Sequence, residues 1–374
     1  MKHVVYADNA ATTKLDNNAF RAMTPFLLEE FGNCSQPYSF SRVPKKALIE
    51  ARECIAACIG AKPNEIFFTS GGTESDNWVI KGIKSGDNKK EAVIVSSIEH
   101  HAILHSCDAI ARKGAEVRFI RPNSNGQVSP EKLNDMLQSK TDLVSVMYVN
   151  NEIGSVQPIK ALCSLAHEHG ALFHTDAVQA VGHIEIDVKD LDVDFLSASA
   201  HKFNGPKGIG FLYIKEGKKL HSFMDGGAQE KRCRAGTENV AAIVGMATAL
   251  QLNCSNIDKN RNHILELERF FLTQLNASGI SYKRNGGAQT LPGLLSLSFK
   301  DADGEAILHR LDLMGISIST GSACNGSSTE ISHVLKAIQL EDEYAMGTIR
   351  ISFGKNNTKE DVDAIIKGLK KIIC

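Results

Sequence analysis

The chain has 374 residues, 43% of them apolar and 23% charged, with a formal net charge of -1. At roughly 150 residues per domain this suggests two domains of ordinary globular composition. It holds no basic stretch or acidic tail that would point to direct nucleic-acid binding, and no apolar run of about 18 residues that would span a membrane. The opening MKHVVYADNAATT has no apolar stretch of signal-peptide length, so a cytoplasmic protein is expected. Nine cysteines, an odd number without a short secreted framework, predict reduced thiols. Cys54 and Cys58 stand one helical turn apart, but no second pair completes a zinc set, and His167 and His169 fall on different helix faces. Ordinary thiols and imidazoles, and no metal, are the expectation for these.

Regular alternation begins near residue 65. Short apolar segments rich in Val, Ile and Phe predict strands over Glu65–Thr69, Ala92–Ser97, Glu116–Ile120, Leu143–Val149, Ala171–Asp176, Phe195–Ala200 and Gly210–Ile214. Helices are predicted between them over Glu74–Lys84, Ile103–Lys113, Pro130–Gln138 and Ile159–His169, the last opened by Pro158. Such alternation implies an α/β fold with a mainly parallel seven-stranded sheet covered by helices. A long helical stretch, Val240–Gln274, closes this unit. A smaller α+β unit follows: strand Leu294–Phe299, helix Gly304–Met314, strand Ile316–Ser319, helix Ile331–Ile338, strand Thr348–Phe353 and helix Lys359–Ile373. The expected division is residues 15–258 for the larger domain, and 1–14 with 259–374 for the smaller.

Chemistry-bearing residues collect at the ends of the predicted strands, where ligands bind in parallel α/β sheets. Lys202 follows the strand ending at Ala200, in a Gly/Pro-punctuated turn, where an amine can form a Schiff base with an aldehyde cofactor. Asp176 ends its strand, and a carboxylate there can keep a pyridine nitrogen protonated; Gln179, three residues on, can donate to a ring oxygen. Thr69-Ser70-Gly71-Gly72-Thr73-Glu74-Ser75 is a strand–glycine turn–helix junction suited to a phosphate, though neither G-x-G-x-x-G nor a P-loop. His100 can lie over a flat ring and move protons, and Asn151 can set an amide beside it. Cys324 sits among Gly, Ser and Asn, a setting that suits an exposed thiol rather than a core one. Arg350, in an alternating strand, can present its fork to a carboxylate. Taken singly, each has an ordinary explanation: a surface lysine, a capping Asp or His, a turn Asn, a buried thiol, a solvent-facing arginine.

Together these segments resemble the NifS-type cysteine desulfurases, in the class V aminotransferase group of fold-type I pyridoxal-phosphate enzymes. The resemblance runs in order through Tyr6–Thr13, Thr69–Asn77, Glu99-His100, Asn150–Gly154, Asp176–Gln179, Ser199–Gly210, Arg234–Thr237, Gly321–Cys324 and Arg350. It implies pyridoxal 5'-phosphate as cofactor, with Lys202 bonded to it, His100 stacked on it, Asp176 at the ring nitrogen, and Gln179 and Asn151 at ring substituents. Gly72, Thr73, Ser199 and His201 would hold the phosphate. Thr237 would reach the cofactor phosphate of the other subunit, which makes a homodimer. Arg350 would bind the carboxylate of L-cysteine, with Asn151 beside it, and Cys324 would take the sulfur as a persulfide. A sulfur-acceptor protein, such as an iron–sulfur scaffold or a thiolation enzyme, would receive it.

The sequence departs from the usual family pattern at Cys34–Tyr38, Ala200, Asn325-Gly326 and Ile331. A selenocysteine lyase or aminotransferase-like enzyme on the same scaffold, and a non-catalytic sulfur-trafficking partner, are the competing readings. A plain dinucleotide-binding protein lacks its glycine fingerprint here.

Overall fold

A computed structural model of the chain describes residues 4–83, 91–320 and 331–373. The expected nucleophile, Cys324, lies outside the described residues. The larger sheet has seven strands, in the spatial order Ile66–Thr69, Gly210–Ile214, Phe195–Ser199, Leu172–Asp176, Leu143–Ser145, Ala92–Ser96, Glu116–Ile120. The last five pair in parallel. Gly210–Ile214 runs antiparallel to both of its neighbours, so the sheet is mainly, not wholly, parallel.

Side chains alternate across this sheet with a period of two. Ile94, Leu196 and Phe211 join a core with Ile55, Leu162 and Ile243 on one face. Val93, Val95, Phe195 and Leu212 join Trp78 and Ile103 on the other. Helices Arg42–Cys58, Ile159–Glu168 and Val240–Cys254 thus cover the first face, and Gly72–Gly82 and His101–Ala111 the second. Both faces being buried explains why these strands read as continuous apolar runs.

The smaller unit is an antiparallel four-stranded sheet in the order Ser319–Thr320, Thr348–Ser352, Leu294–Ser298, Lys283–Arg284. Helices Ile257–Ala277, Gly304–Asp312 and Lys359–Ile373 pack on it through a separate core that includes Phe271, Leu297, Ile349 and Ile365. Val5–Tyr6 pairs in parallel with Ile316–Ser317, and Asp8 bridges to Ser352. The N-terminal segment therefore starts against the smaller unit before it crosses to the larger one.

Three expectations are corrected. The helical stretch 240–274 is two helices bent by 70°; the break falls where the Asn256 side chain donates back to Leu252 O, a local bond that competes with the helix ladder. The strand expected to reach Val149 ends at Ser145, because the Met147 amide turns to the Glu99 carboxylate. The strand Ile316–Ser319 divides, its halves joining different sheets. Helices Asn17–Leu28 and Arg42–Cys58 precede residue 65, in a stretch for which the sequence reading named no element. Only Ala19 of the first is buried. Among the described residues, no single helix is long and apolar enough to cross a membrane.

Candidate active site

A cavity of about 490 Å³ opens at the carboxyl ends of the parallel strands, between the two units. Lys202, Asp176, Gln179, His100, Asn151, Gly72, Thr73, Ser199, His201 and Arg350 all line it. The sequence-predicted residues thus converge from six separate stretches of chain, with two exceptions. Thr237 is exposed and is not among the residues lining this chain's cavity, and Cys324 is outside the described residues.

Lys202 ends a short 3₁₀ turn, Ala200–Lys202, that follows strand Phe195–Ser199. Its Nζ donates to the carbonyls of Ala10 (2.5 Å) and Ala11 (2.9 Å). The same N-terminal segment clamps the turn: Thr13 donates to His201 O through both its amide and its hydroxyl, and its Oγ1 accepts from the Asn204 amide. His183 meets the Lys202 carbonyl at 2.9 Å from Nε2. The lysine is aimed by backbone on both sides, so it is no loose surface amine.

His100 is a helix cap that also reaches the cavity. It caps helix His101–Ala111, its Nδ1 accepting from the Ala102 amide at 3.1 Å, and it lines the cavity. That bond places the ring hydrogen on Nε2. Burial, and then the charge of Lys202, push its pKa down to about 4, so the ring is neutral at neutral pH.

Asp176 has one oxygen bonded by the Val178 amide at 2.9 Å. Burial raises it to about 6, against the pull of that amide and of Lys202. Behind it lies a polar layer that sequence reading missed. Asp76 lines the cavity, is 1% exposed, and its Oδ1 has no hydrogen-bond partner; it lies 3.7 Å from His174 Nε2. Burial and then the Asp176 carboxylate hold it well above the carboxylate range. His174, held between Ser145 and Ser197, is pushed down to about 3 by burial. Glu99, bonded by the Ser96 hydroxyl and the Met147 amide, is raised by burial to about 8. For Glu99 the available signal was a carboxylate just past the apolar strand Ala92–Ser96; Asp76, in the polar first turns of Gly72–Gly82, carried none.

The glycine junction is shaped for a close anion. Gly71 has φ of +151°, a backbone conformation that side chains disfavour. A Cβ on Gly72 would stand 2.5 Å from Val178 Cγ2. Gly72, Thr73, Ser199 and His201 also line an adjoining recess of about 370 Å³, open to the first turn of helix Gly72–Gly82, whose amides lack helical partners. His201 Nδ1 meets Thr12 Oγ1 at 3.1 Å at its rim. Glu74 is taken out of play as a repelling charge. Despite burial, a two-pronged pair with Arg234 and the Ser70 amide hold its carboxyl below the ordinary value.

Arg350 is 4% exposed, which rejects the solvent-facing alternative. Its Nη2 donates to Asp8 Oδ1 at 2.8 Å and its Nη1 to Asn151 O at 2.9 Å, while Nε has no partner among the described residues. Gln179 donates to Ala10 O at 2.8 Å, the carbonyl it shares with Lys202. Asn150 forms the turn expected of it, and Asn151 reaches the cavity. On either side of the segment holding Cys324, Ser319 lines the cavity and Ser332 bonds Glu152.

The profile of the Aminotransferase class-V family matches residues 5–365. The chain is 46% identical over 375 positions to cysteine desulfurase IscS of Dictyoglomus turgidum, covering 100% of this chain and 95% of that protein. Among solved structures it is similar to a NifS-like protein, with a TM-score of 0.93 and 35% identity over 99% of both chains. It is also similar to SspA in complex with cysteine, with a TM-score of 0.84 and 34% identity over 95% of this chain and 100% of that one. A full-length match at this identity, on a cavity lined by the motif residues, means that the chain belongs to the class-V aminotransferase family of pyridoxal-phosphate enzymes, among its cysteine desulfurases.

Proposed function

We propose that the chain takes sulfur from L-cysteine, releases L-alanine and carries the sulfur as a persulfide on Cys324 for transfer to an acceptor protein. The observation that carries this reading is the convergence of Lys202, Asp176, His100 and Arg350 on one cavity. The residues present fit pyridoxal 5'-phosphate: a side-chain-free cradle at Gly72 beside the recess, a buried carboxylate at Asp176, and an amine at Lys202.

Bound there, the cofactor supplies an electron sink for the bonds at the substrate α-carbon. Thr73, Ser199, His201 and the first-turn amides of helix Gly72–Gly82 hold the phosphate. Asp176 keeps a proton on the ring nitrogen, and Gln179 and Asn151 bond ring substituents. Neutral His100, on the cavity wall, would pack against the ring and move protons through Nε2. Lys202, its amine aimed by the Ala10 and Ala11 carbonyls, would hold the cofactor and would take the substrate α-proton at Nζ and return it. Arg350, braced by Asp8, binds the substrate carboxylate. The Cys324 thiolate then attacks the cysteine sulfur: an S–S bond forms, the C–S bond breaks with its electron pair left on carbon, and protonation there yields alanine.

Residues 15–258 form the larger domain of this reading, and 1–14 with 259–374 the smaller. A homodimer is supported by the exposed apolar side chains Phe20, Leu28, Phe31, Phe40, Val43 and Ile49, gathered in the N-terminal helices and their connection. It also gives exposed Thr237 a phosphate to reach, on the second subunit. The acceptor is an iron–sulfur scaffold or thiolation enzyme in the cytoplasm, with no membrane or nucleic acid contacted directly.

The test pairs two variants. Protein loaded with pyridoxal phosphate absorbs in the visible, and Cys324→Ala keeps that band while losing sulfur release from cysteine. Sulfur release undiminished in Cys324→Ala overturns the nucleophile. A native chain that takes up no cofactor overturns the whole reading.

A further inference from the structure

Outside the cavity, three thiols meet at a surface depression of about 360 Å³ lined by Cys54, Ala57, Cys58, Gln251, Cys254 and Ser255. Cys54 and Cys58 lie one turn apart on helix Arg42–Cys58, and Cys254 closes helix Val240–Cys254. All three are reduced and half-buried. Cys54 Sγ is 3.7 Å from Ala247 O, across the helix pair, and Cys254 Sγ is 4.0 Å from Cys58 O. The sequence showed only the first two, because the third is 196 positions away from Cys58.

The central thiol distinguishes itself from its neighbours. Hydrogen bonds among the three sulfurs hold Cys54 and Cys254 below the ordinary thiol range and push Cys58 above it. The outer two are thus the ones most readily ionised, and the thiolate is the form that oxidants attack. No group of three His, Cys, Asp or Glu among the described residues is arranged to hold a metal ion, which directs the cluster toward sulfur–sulfur chemistry. Geometry then selects the pair. Positions i and i+4 of one helix keep their Cβ atoms about 5–6 Å apart. A disulfide needs about 3.5–4.5 Å. Cys54 and Cys58 therefore cannot join without unwinding their helix, whereas Cys254 approaches Cys58 from another element.

We propose that Cys58 and Cys254 are a redox-active dithiol, oxidised by a peroxide to a disulfide that staples the ends of the two helices. The Cys254 thiolate attacks the peroxide: an S–O bond forms, the O–O bond breaks, and the departing hydroxide takes up the proton Cys254 had released and leaves as water, giving a sulfenic acid. The Cys58 sulfur displaces that hydroxyl, which departs with the Cys58 proton as a second water. Two thiols lose two electrons and hydrogen peroxide gains them.

The experiment uses cofactor-loaded Cys324→Ala protein, so that the catalytic thiol does not contribute. It is treated with equimolar hydrogen peroxide, alkylated, digested and mapped by mass. The expected product is the Cys58 and Cys254 peptides joined, two hydrogens lighter than their sum and separated by dithiothreitol. The link is lost in Cys254→Ser and kept in Cys54→Ser, and the oxidised protein melts several degrees higher than the reduced one. Oxidation of Cys254 to sulfinic acid without a link, or a link from Cys54 instead, overturns the proposal. Mapping the protein that keeps all three thiols decides the matter even if a serine variant fails to fold.

Discussion

The cavity has two walls built by different rules. On the larger unit, Asp176, Ser199, Lys202 and His100 each stand at or just past the carboxyl end of a strand, delivered by local sequence. On the smaller unit, Arg350 sits mid-strand in Thr348–Ser352 and is aimed by Asp8, 342 positions away, and by the Asn151 carbonyl. The first wall is a property of strand–turn–helix junctions. The second exists only once the N-terminal segment has crossed between the units. Even Lys202 borrows from that crossing, since the Ala10 and Ala11 carbonyls hold its amine.

Lys202→Ala should have the largest effect, lowering sulfur release at least about 10³-fold and abolishing the visible band, because no other side chain replaces the amine. Steady-state sulfide release and absorbance read both. Next comes the second wall. Arg350→Lys keeps the charge but loses the fork, so KM for cysteine should rise on the order of 10²-fold with the band retained. Asp8→Asn should raise KM about 10-fold, as expected for a lost bond to a charged group. A normal KM in Asp8→Asn would show that the crossing segment does not orient the arginine, and would erase the distinction between the walls.

Gly72→Ala tests the first wall. The added methyl would meet Val178 Cγ2 at 2.5 Å. Overpacking of about 1–3 kcal/mol should weaken cofactor retention roughly 10-fold, measured by titrating cofactor-free protein. Val178→Ala in the same chain should restore most of it. A Gly72→Ala protein that retains cofactor as well as its parent would show that the cradle is roomier than its atoms imply.

The smallest effect is on stability. Glu99 is raised to about 8 in the folded chain, against about 4.3 when unfolded. The folded state therefore binds this proton more tightly, and the associated stability is complete below about pH 4 and lost as the pH rises toward 8. Glu99→Gln cannot ionise. In cofactor-free protein its melting temperature should gain on the parent between about pH 5 and 8, by a few degrees. His100 and His174, whose pKa values are depressed, contribute with the opposite sign below about pH 6.5, equally in both proteins.

Asp176, Lys202, Gly72 and Thr73 were legible in the sequence because each depends on what adjoins it: an apolar run, then a turn residue, then a helix start. The same locality exposed the alternating strands and the seven-stranded sheet. It failed where a partner far along the chain makes the decision. Strand Leu143–Ser145 stops early because Glu99 captures the Met147 amide, and Ile316–Ser319 divides because two sheets compete for it. Asp76 and Glu99 are buried acids of raised pKa, set by packing beyond their own segments. Cys54 and Cys58 looked like an incomplete pair and meet Cys254. By itself the sequence determined the sheet, the family and the strand-end wall of the cavity, since those follow from short-range pattern and motif. Only the tertiary structure decided which carbonyls hold Lys202, what braces Arg350 and which acids sit behind Asp176, because burial and long-range contact, not residue type, set those energies.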